Sequence, residues 1–130
     1  VWAYRLTGDH AYLRRALANL DYLLGRNATG YSFVTGVGDQ PPQNPHHRPS
    51  VSDDIDPPVP GLLVGGPNPG QQDGCEYPSD APARSYADIT CSYASNEIAV
   101  NWNAPLVYLA GALEALQYDA EFTAGDESAY

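Results

Sequence analysis

The sequence predicts an all-α chain in which two helices bracket one long Pro- and Gly-rich loop, and three observations carry that expectation. Leu recurs at helical spacing at Leu13, Leu17, Leu20 and Leu24, and again at Leu106, Leu109, Leu113 and Leu116. Eleven of the twelve Pro fall between residues 36 and 85, a density through which no regular element runs far, because Pro fixes φ and lacks an N–H. The hydrophobic content of 43% belongs to a globular chain rather than a disordered one.

Taken in order, Trp2, Ala3 and Tyr4 read as the end of a helix already under way, so the chain is expected to begin inside a domain. Asp9 after Gly8 is a natural N-cap. The first Leu stripe follows it, with Arg14 and Arg15 off the stripe, and Gly25 is expected to stop the helix with Arg26 in its last turn. Short extended pieces are expected at residues 31–35 and 62–64. A loop this long inside a domain is either functional or disordered. This one carries His46, His47 and Arg48 among well-spaced apolar residues, so it reads as ordered and functional. The last helix is expected to start at Asn103-Ala104-Pro105, with Asn103 capping and Pro105 in a first turn that needs no donor. Residues 119–130 read as an acidic tail or linker. Two helices and a loop enclose little core, so the stripes are expected to pack on helices outside these 130 residues.

Charge narrows the function. Six Arg and no Lys face sixteen acidic residues, for a net charge of −10, which excludes a phosphate-binding surface and hence nucleic acid. The Leu-rich runs are too short and too often broken by Asp, Arg or Gly to cross a membrane. Ten Tyr and two Trp supply flat apolar faces with a polar edge, which suit sugar rings; for any single Tyr the core is the stronger reading. Cys75 and Cys91, with no His beside them, make no zinc site. A disulfide and a pair of buried thiols both fit them. Asn27-Ala28-Thr29 is a formal glycosylation sequon, meaningful only in a eukaryotic secretory route.

Two clusters carry chemistry. The first is Tyr31-Ser32-Phe33-Val34-Thr35-Gly36 followed by Pro45-His46-His47-Arg48-Pro49-Ser50. The second runs from Ala83-Arg84-Ser85-Tyr86-Ala87-Asp88 through Ser92-Tyr93-Ala94-Ser95-Asn96-Glu97-Ile98-Ala99 to Asn101-Trp102-Asn103-Ala104-Pro105. Both resemble the active-site motifs of glycoside hydrolase family 9, and residues 59–68 look like the same family. In the second motif an aromatic, Asp, aromatic, Glu and Asn fall at Tyr86, Asp88, Tyr93, Glu97 and Asn103. The resemblance covers roughly Trp2 to Leu116. It implies that residues 1–118 are the C-terminal portion of an (α/α)6 barrel with a long active-site loop.

The implied reaction is inverting endo-hydrolysis of β-1,4-glucosidic bonds in cellulose or a related β-glucan. Such hydrolysis needs one carboxylic acid to protonate the leaving oxygen and a carboxylate opposite it to activate water. By resemblance the acid is Glu97, and apolar neighbours such as Ile98 and Trp102 would favour its protonated form. Asp88 becomes a supporting carboxylate, against the competing reading of a turn Asp bonded to its own backbone. His46 and Arg48 are expected to bind sugar hydroxyls. His47 is the less certain imidazole, and Trp102 either stacks on a sugar or supports Glu97 from behind. The base belongs to a motif near the start of such a domain, and no counterpart of it occurs here. Asp53, Asp54 and Asp56 lie in the wrong segment. The missing N-terminal part of the domain is thus an expected partner, and the isolated chain is expected to be inactive.

No cofactor is implied for the reaction. Structural calcium is compatible with the full domain, but no metal ligands are assignable in this segment. The family further implies secretion, and in that setting Cys75–Cys91 is expected to be a disulfide. A non-catalytic sugar-binding remnant using Trp102, His46 and Arg48 is the competing function; a purely structural helical domain would leave the motif spacings unexplained.

Overall fold

Asp9 caps the longer of two N-terminal helices in the computed structural model of the chain, which describes residues 1–118. The expected tail, 119–130, lies outside the described residues. Helix α1, Trp2–Thr7, ends at Gly8, whose φ of 71° is a left-handed value that a side chain disfavours. The Asp9 carboxylate accepts the Ala11 N–H at 2.8 Å and opens α2, His10–Leu23. Leu13 and Ala16 are buried, while Leu17, Leu20 and Leu24 are half-buried. The helix closes at Leu24, so Arg26 falls beyond the last turn rather than inside it and pairs with Asp21 at 2.9 Å. An ion pair this exposed contributes little.

The last helix departs from expectation. α4 spans Val100–Ala115, so it begins at Val100 rather than Asn103, and its N-cap Ala99 offers no side-chain bond. Asn103 is therefore not a cap. Its Oδ1 accepts the Leu63 N–H at 2.8 Å, and its Nδ2 donates to the carbonyls of Leu63 and Ala99, each at 2.9 Å. A primary amide carries the donor and acceptor of a peptide group side by side, so it can satisfy Leu63 as a strand partner would. Pro105 sits inside the helix and forfeits one ladder bond there. Two further short pieces interrupt the loop: α3, Arg48–Ser52, and a 3-10 turn, Pro82–Arg84.

The core lies in the loop rather than between the helices. Phe33, Val34, Leu63, Val64 and Tyr86 form the buried cluster, with Leu23, Leu24, Tyr31, Ile98, Trp102 and Leu106 packed against it. Extended pieces occur where they were expected, as isolated bridges: Val34 pairs with Leu63, and Val64 with Ile98, both antiparallel. Thr35 N–H donates to Leu62 O at 2.9 Å and Val64 N–H to Phe33 O at 2.9 Å. Gly36, at φ 68°, lies against Pro60, and a Cβ added there would come within 2.8 Å of the Pro60 Cβ. The long loop thus makes far more internal contacts than its Pro content suggests, because side-chain and backbone bonds replace ladders that Pro forbids.

The helices are the under-buried part. α1 and α4 bury no residue completely; Leu6, Val100 and Val107 are 82%, 83% and 74% exposed. α2 touches both α1 and α4. No helix among the described residues is long and apolar enough to cross a membrane.

Candidate active site

Residues 92–97 form a tight turn that delivers Glu97. Asn96 N–H donates to Ser92 O at 3.0 Å, and Ser95 N–H to the Ser92 hydroxyl at 3.2 Å. The Gly65–Gly66 backbone then grips the far end: Gly66 N–H reaches Ser95 O at 2.8 Å and Gly65 N–H reaches Glu97 O at 3.1 Å. A Cβ on Gly65 would stand 3.4 Å from the Ser95 carbonyl oxygen, so the bare backbone permits a close approach. The side chains of Ser92, Tyr93, Ser95 and Asn96 are all hydrogen-bonded. Glu97 is exposed, and its carboxylate has no partner among the described residues. Ile98 and Trp102 pack against the buried cluster around Phe33.

His46 lies beside Glu97 through a parallel bridge, its N–H donating to Asn96 O at 2.9 Å. Its Nδ1 meets Thr90 O at 2.6 Å. A carbonyl only accepts, so Nδ1 carries the proton and Nε2 is left for another partner. The ring stands edge-on to Tyr93 at 6.2 Å. Tyr93 is itself pinned, donating to Gln72 O at 3.0 Å. His47 Nδ1 meets the Ser50 hydroxyl at 2.9 Å, and Arg48 is exposed in the first turn of α3.

Asp88 bonds a distant backbone rather than its own turn. Its carboxylate accepts the N–H groups of Gln43 and Asn44 at 2.7 and 2.8 Å and the Asn96 amide at 3.2 Å. Asn96, fully buried, spends the rest of its amide on Asn44 O at 2.8 Å and the Tyr86 hydroxyl at 2.7 Å. Burial and the nearby Asp88 charge push the Tyr86 phenol well above its ordinary range, so it stays a donor. Trp102 spends its indole N–H on Leu63 O at 2.9 Å and lines an apolar groove with Tyr22, Phe33, Leu63 and Val64.

Sequence reasoning missed Asp73. Its carboxylate accepts the Tyr77 hydroxyl at 2.7 Å, the Ser92 hydroxyl at 2.9 Å, the Ala94 N–H at 3.0 Å and the Cys75 N–H at 3.1 Å. Burial pulls its pKa upward, but these hydrogen bonds outweigh burial and hold the carboxyl below its ordinary value. Beside it Cys75 and Cys91 form the expected disulfide, with Cα atoms 6.1 Å apart. No local signal marks Asp73, since its partners on the Glu97 turn are distant in sequence. Asn96 did leave one, standing immediately before Glu97. Among the described residues no group of three or more His, Cys, Asp or Glu could hold a metal ion.

An exposed carboxylate and an imidazole-bearing residue are thus joined through their backbones on an ordered loop. The chain belongs to glycosyl hydrolase family 9, whose profile matches residues 1–110. A xyloglucan-specific endo-β-1,4-glucanase of Bacteroides ovatus is 60% identical over 116 residues, covering 89% of this chain and 20% of its own length. A solved family 9 structure from Bacteroides ovatus aligns with TM-score 0.79 at 54% identity, covering 88% of this chain and 19% of that one. A metagenome-derived family 9 endoglucanase aligns with TM-score 0.77 at 49% identity, over 85% of this chain and 20% of its own. The chain therefore spans about a fifth of these relatives and corresponds to a portion of their (α/α)6 barrel.

Proposed function

We propose that this chain supplies the acid half of an inverting endo-β-1,4-glucanase site, with Glu97 as general acid. One observation carries the reading: Glu97 is the single unbonded side chain at the end of a turn whose other polar side chains are all engaged. A rigid turn fixes where the acid sits, and a free carboxyl can face the glycosidic oxygen. His46, its Nδ1 committed to Thr90, offers Nε2 to a sugar hydroxyl, and Arg48 offers a guanidinium from the same loop. Asp88 supports both by holding the loop to the Glu97 turn. Trp102, its indole N–H spent on Leu63, is held in place beside the groove behind the Glu97 turn.

The attacking water needs a base roughly 6.5–9.5 Å from the acid in an inverting enzyme. We assign that base to the part of the catalytic domain outside these residues. The substrate is a β-1,4-linked glucan; the relative named for xyloglucan makes a branched glucan as fitting as cellulose. The disulfide supports action in an oxidising, extracellular setting.

Glu97→Gln, made in the complete catalytic domain, tests the reading. Fold and glucan binding should persist while turnover falls about 10²–10⁴-fold. Turnover near that of the unsubstituted enzyme on an unactivated glucan would overturn it.

A further inference from the structure

Asp73 stands at the opposite end of the Glu97 turn from the Gly65–Gly66 backbone, and among the described residues it is the only carboxylate bonded to that end. Its Oδ2 accepts from the Ser92 hydroxyl at 2.9 Å and from the Ala94 N–H at 3.0 Å. The chain of donors continues inward. Ser92 Oγ meets Ser95 Oγ at 2.8 Å, and Ser95 Oγ accepts the Ala87 N–H at 3.3 Å. Ser92 and Ser95 are fully buried. A carboxylate can only accept, so the Ser92 and Tyr77 hydroxyls that meet Asp73 turn their protons toward it, while the Ala87 N–H donates to Ser95. The same carboxylate takes the Tyr77 hydroxyl, which also meets Ser92 Oγ at 2.8 Å, and the Cys75 N–H beside the disulfide.

We infer that Asp73 is a positioning residue for the general acid, acting through Ser92 and Ala94 to fix the turn that presents Glu97. The inference rests on the assignment of Glu97 above. Charge and shape both matter. An amide at this position would place a donor where Ser92, Tyr77 or the Ala94 N–H also donates, reverse one hydroxyl and loosen the turn. A small displacement of a catalytic group is costly, since about 1 Å can lower a rate on the order of 10²-fold.

The complete catalytic domain carrying Asp73→Asn should be assayed on two substrates: an unactivated cello-oligosaccharide, and a dinitrophenyl β-cellobioside whose leaving group needs no protonation. The variant should lose about 10- to 100-fold in kcat on the first substrate, with KM little changed, and stay close to the parent on the second. Equal losses on both substrates would show a general structural defect and overturn the inference, as would full activity on both. Glu97→Gln run alongside separates the two claims. If Glu97→Gln is itself indifferent to the leaving group, the acid assignment fails; if only Asp73→Asn is, the positioning role alone fails.

Should Asp73→Asn not fold, Ser92→Ala breaks one of the two links to the turn while leaving Asp73 bonded to Tyr77, Cys75 and Ala94. It should show the same dependence on leaving group at smaller size, and its absence would overturn the inference.

Discussion

The Asp88 carboxylate holds the backbone of Asn44: Oδ1 accepts the Asn44 N–H at 2.8 Å while Oδ2 takes the neighbouring Gln43 N–H at 2.7 Å. Asn44 lies two positions before His46, and Asn96, also bonded to Asp88, lies one before Glu97. One carboxylate thus sets the distance between two segments far apart in sequence. Asp88→Ala should lower kcat on carboxymethylcellulose about 10-fold or more. The cost in stability should be moderate, because water can reach the freed N–H groups of exposed Gln43 and Asn44. Steady-state kinetics beside a urea melt separates the two effects, and unchanged kcat with a large loss of stability would make Asp88 purely structural.

His46 and Arg48 are expected to behave differently from core residues. His46 is half-buried and Arg48 exposed, and neither belongs to the cluster around Phe33. Replacing either with Ala should weaken glucan binding and turnover together while the melting temperature stays nearly constant. Affinity electrophoresis in a soluble β-glucan, with a thermal melt, checks both. A variant that melts early yet keeps full specific activity would mark that residue as a packing element.

Much of this site was legible because its residues sit in short motifs. Asp9 and the Leu stripe are local patterns, and the structure caps α2 on Asp9 and buries Leu13; the Tyr86-to-Asn103 spacing is local too, and it carried the resemblance to the family whose profile matches the chain. What escaped was long-range. The start of α4 at Val100 was hidden because Asn103 and Pro105 imitate a helix beginning, while Asn103 in fact serves Leu63 across the fold. The core inside the loop was hidden because Pro density argues against strands but says nothing of isolated bridges. Asp73 was hidden because the Ser92 and Ala94 groups that give it meaning arrive only when the chain folds back.

The pH dependence of stability should carry a signature of Asp73. Its folded pKa is depressed below the ordinary 3.8, since burial, which raises it, is outweighed by the bonds from Tyr77, Cys75, Ala94 and Ser92. A depressed carboxyl stabilises the fold above its unfolded pKa, and that contribution is lost as pH falls through the folded value. Asp73→Asn should therefore be less stable than the parent at neutral pH, and the gap should narrow in acid below 3.8. Denaturant melts of the complete catalytic domain across that range measure it. A gap that stays constant into acid would show that the charge on Asp73 contributes nothing.

The last expectation concerns residues 1–130 on their own: they should hydrolyse no β-glucan. Protonating the leaving oxygen is half of an inverting reaction, and the water opposite needs a base. Asp53, Asp54 and Asp56 are exposed beyond α3, in a segment that no family motif assigns to the base. Stability adds a second reason. The loop core around Phe33 and Leu63 is internally bonded and should persist locally. The helices lack that support: Leu6, Val100 and Val107 stay largely in water, and full burial of one such side chain contributes about 1.5–3 kcal/mol. The isolated chain should therefore hold its helices loosely and tend to associate through them, and activity should return when the upstream part of a family 9 catalytic domain is joined to it. Carboxymethylcellulose hydrolysis by the short chain and by the joined protein, each with and without Glu97→Gln, decides the matter. Glu97-dependent turnover from residues 1–130 alone would mean that a base resides within them, and the division of labour proposed for this site would be wrong.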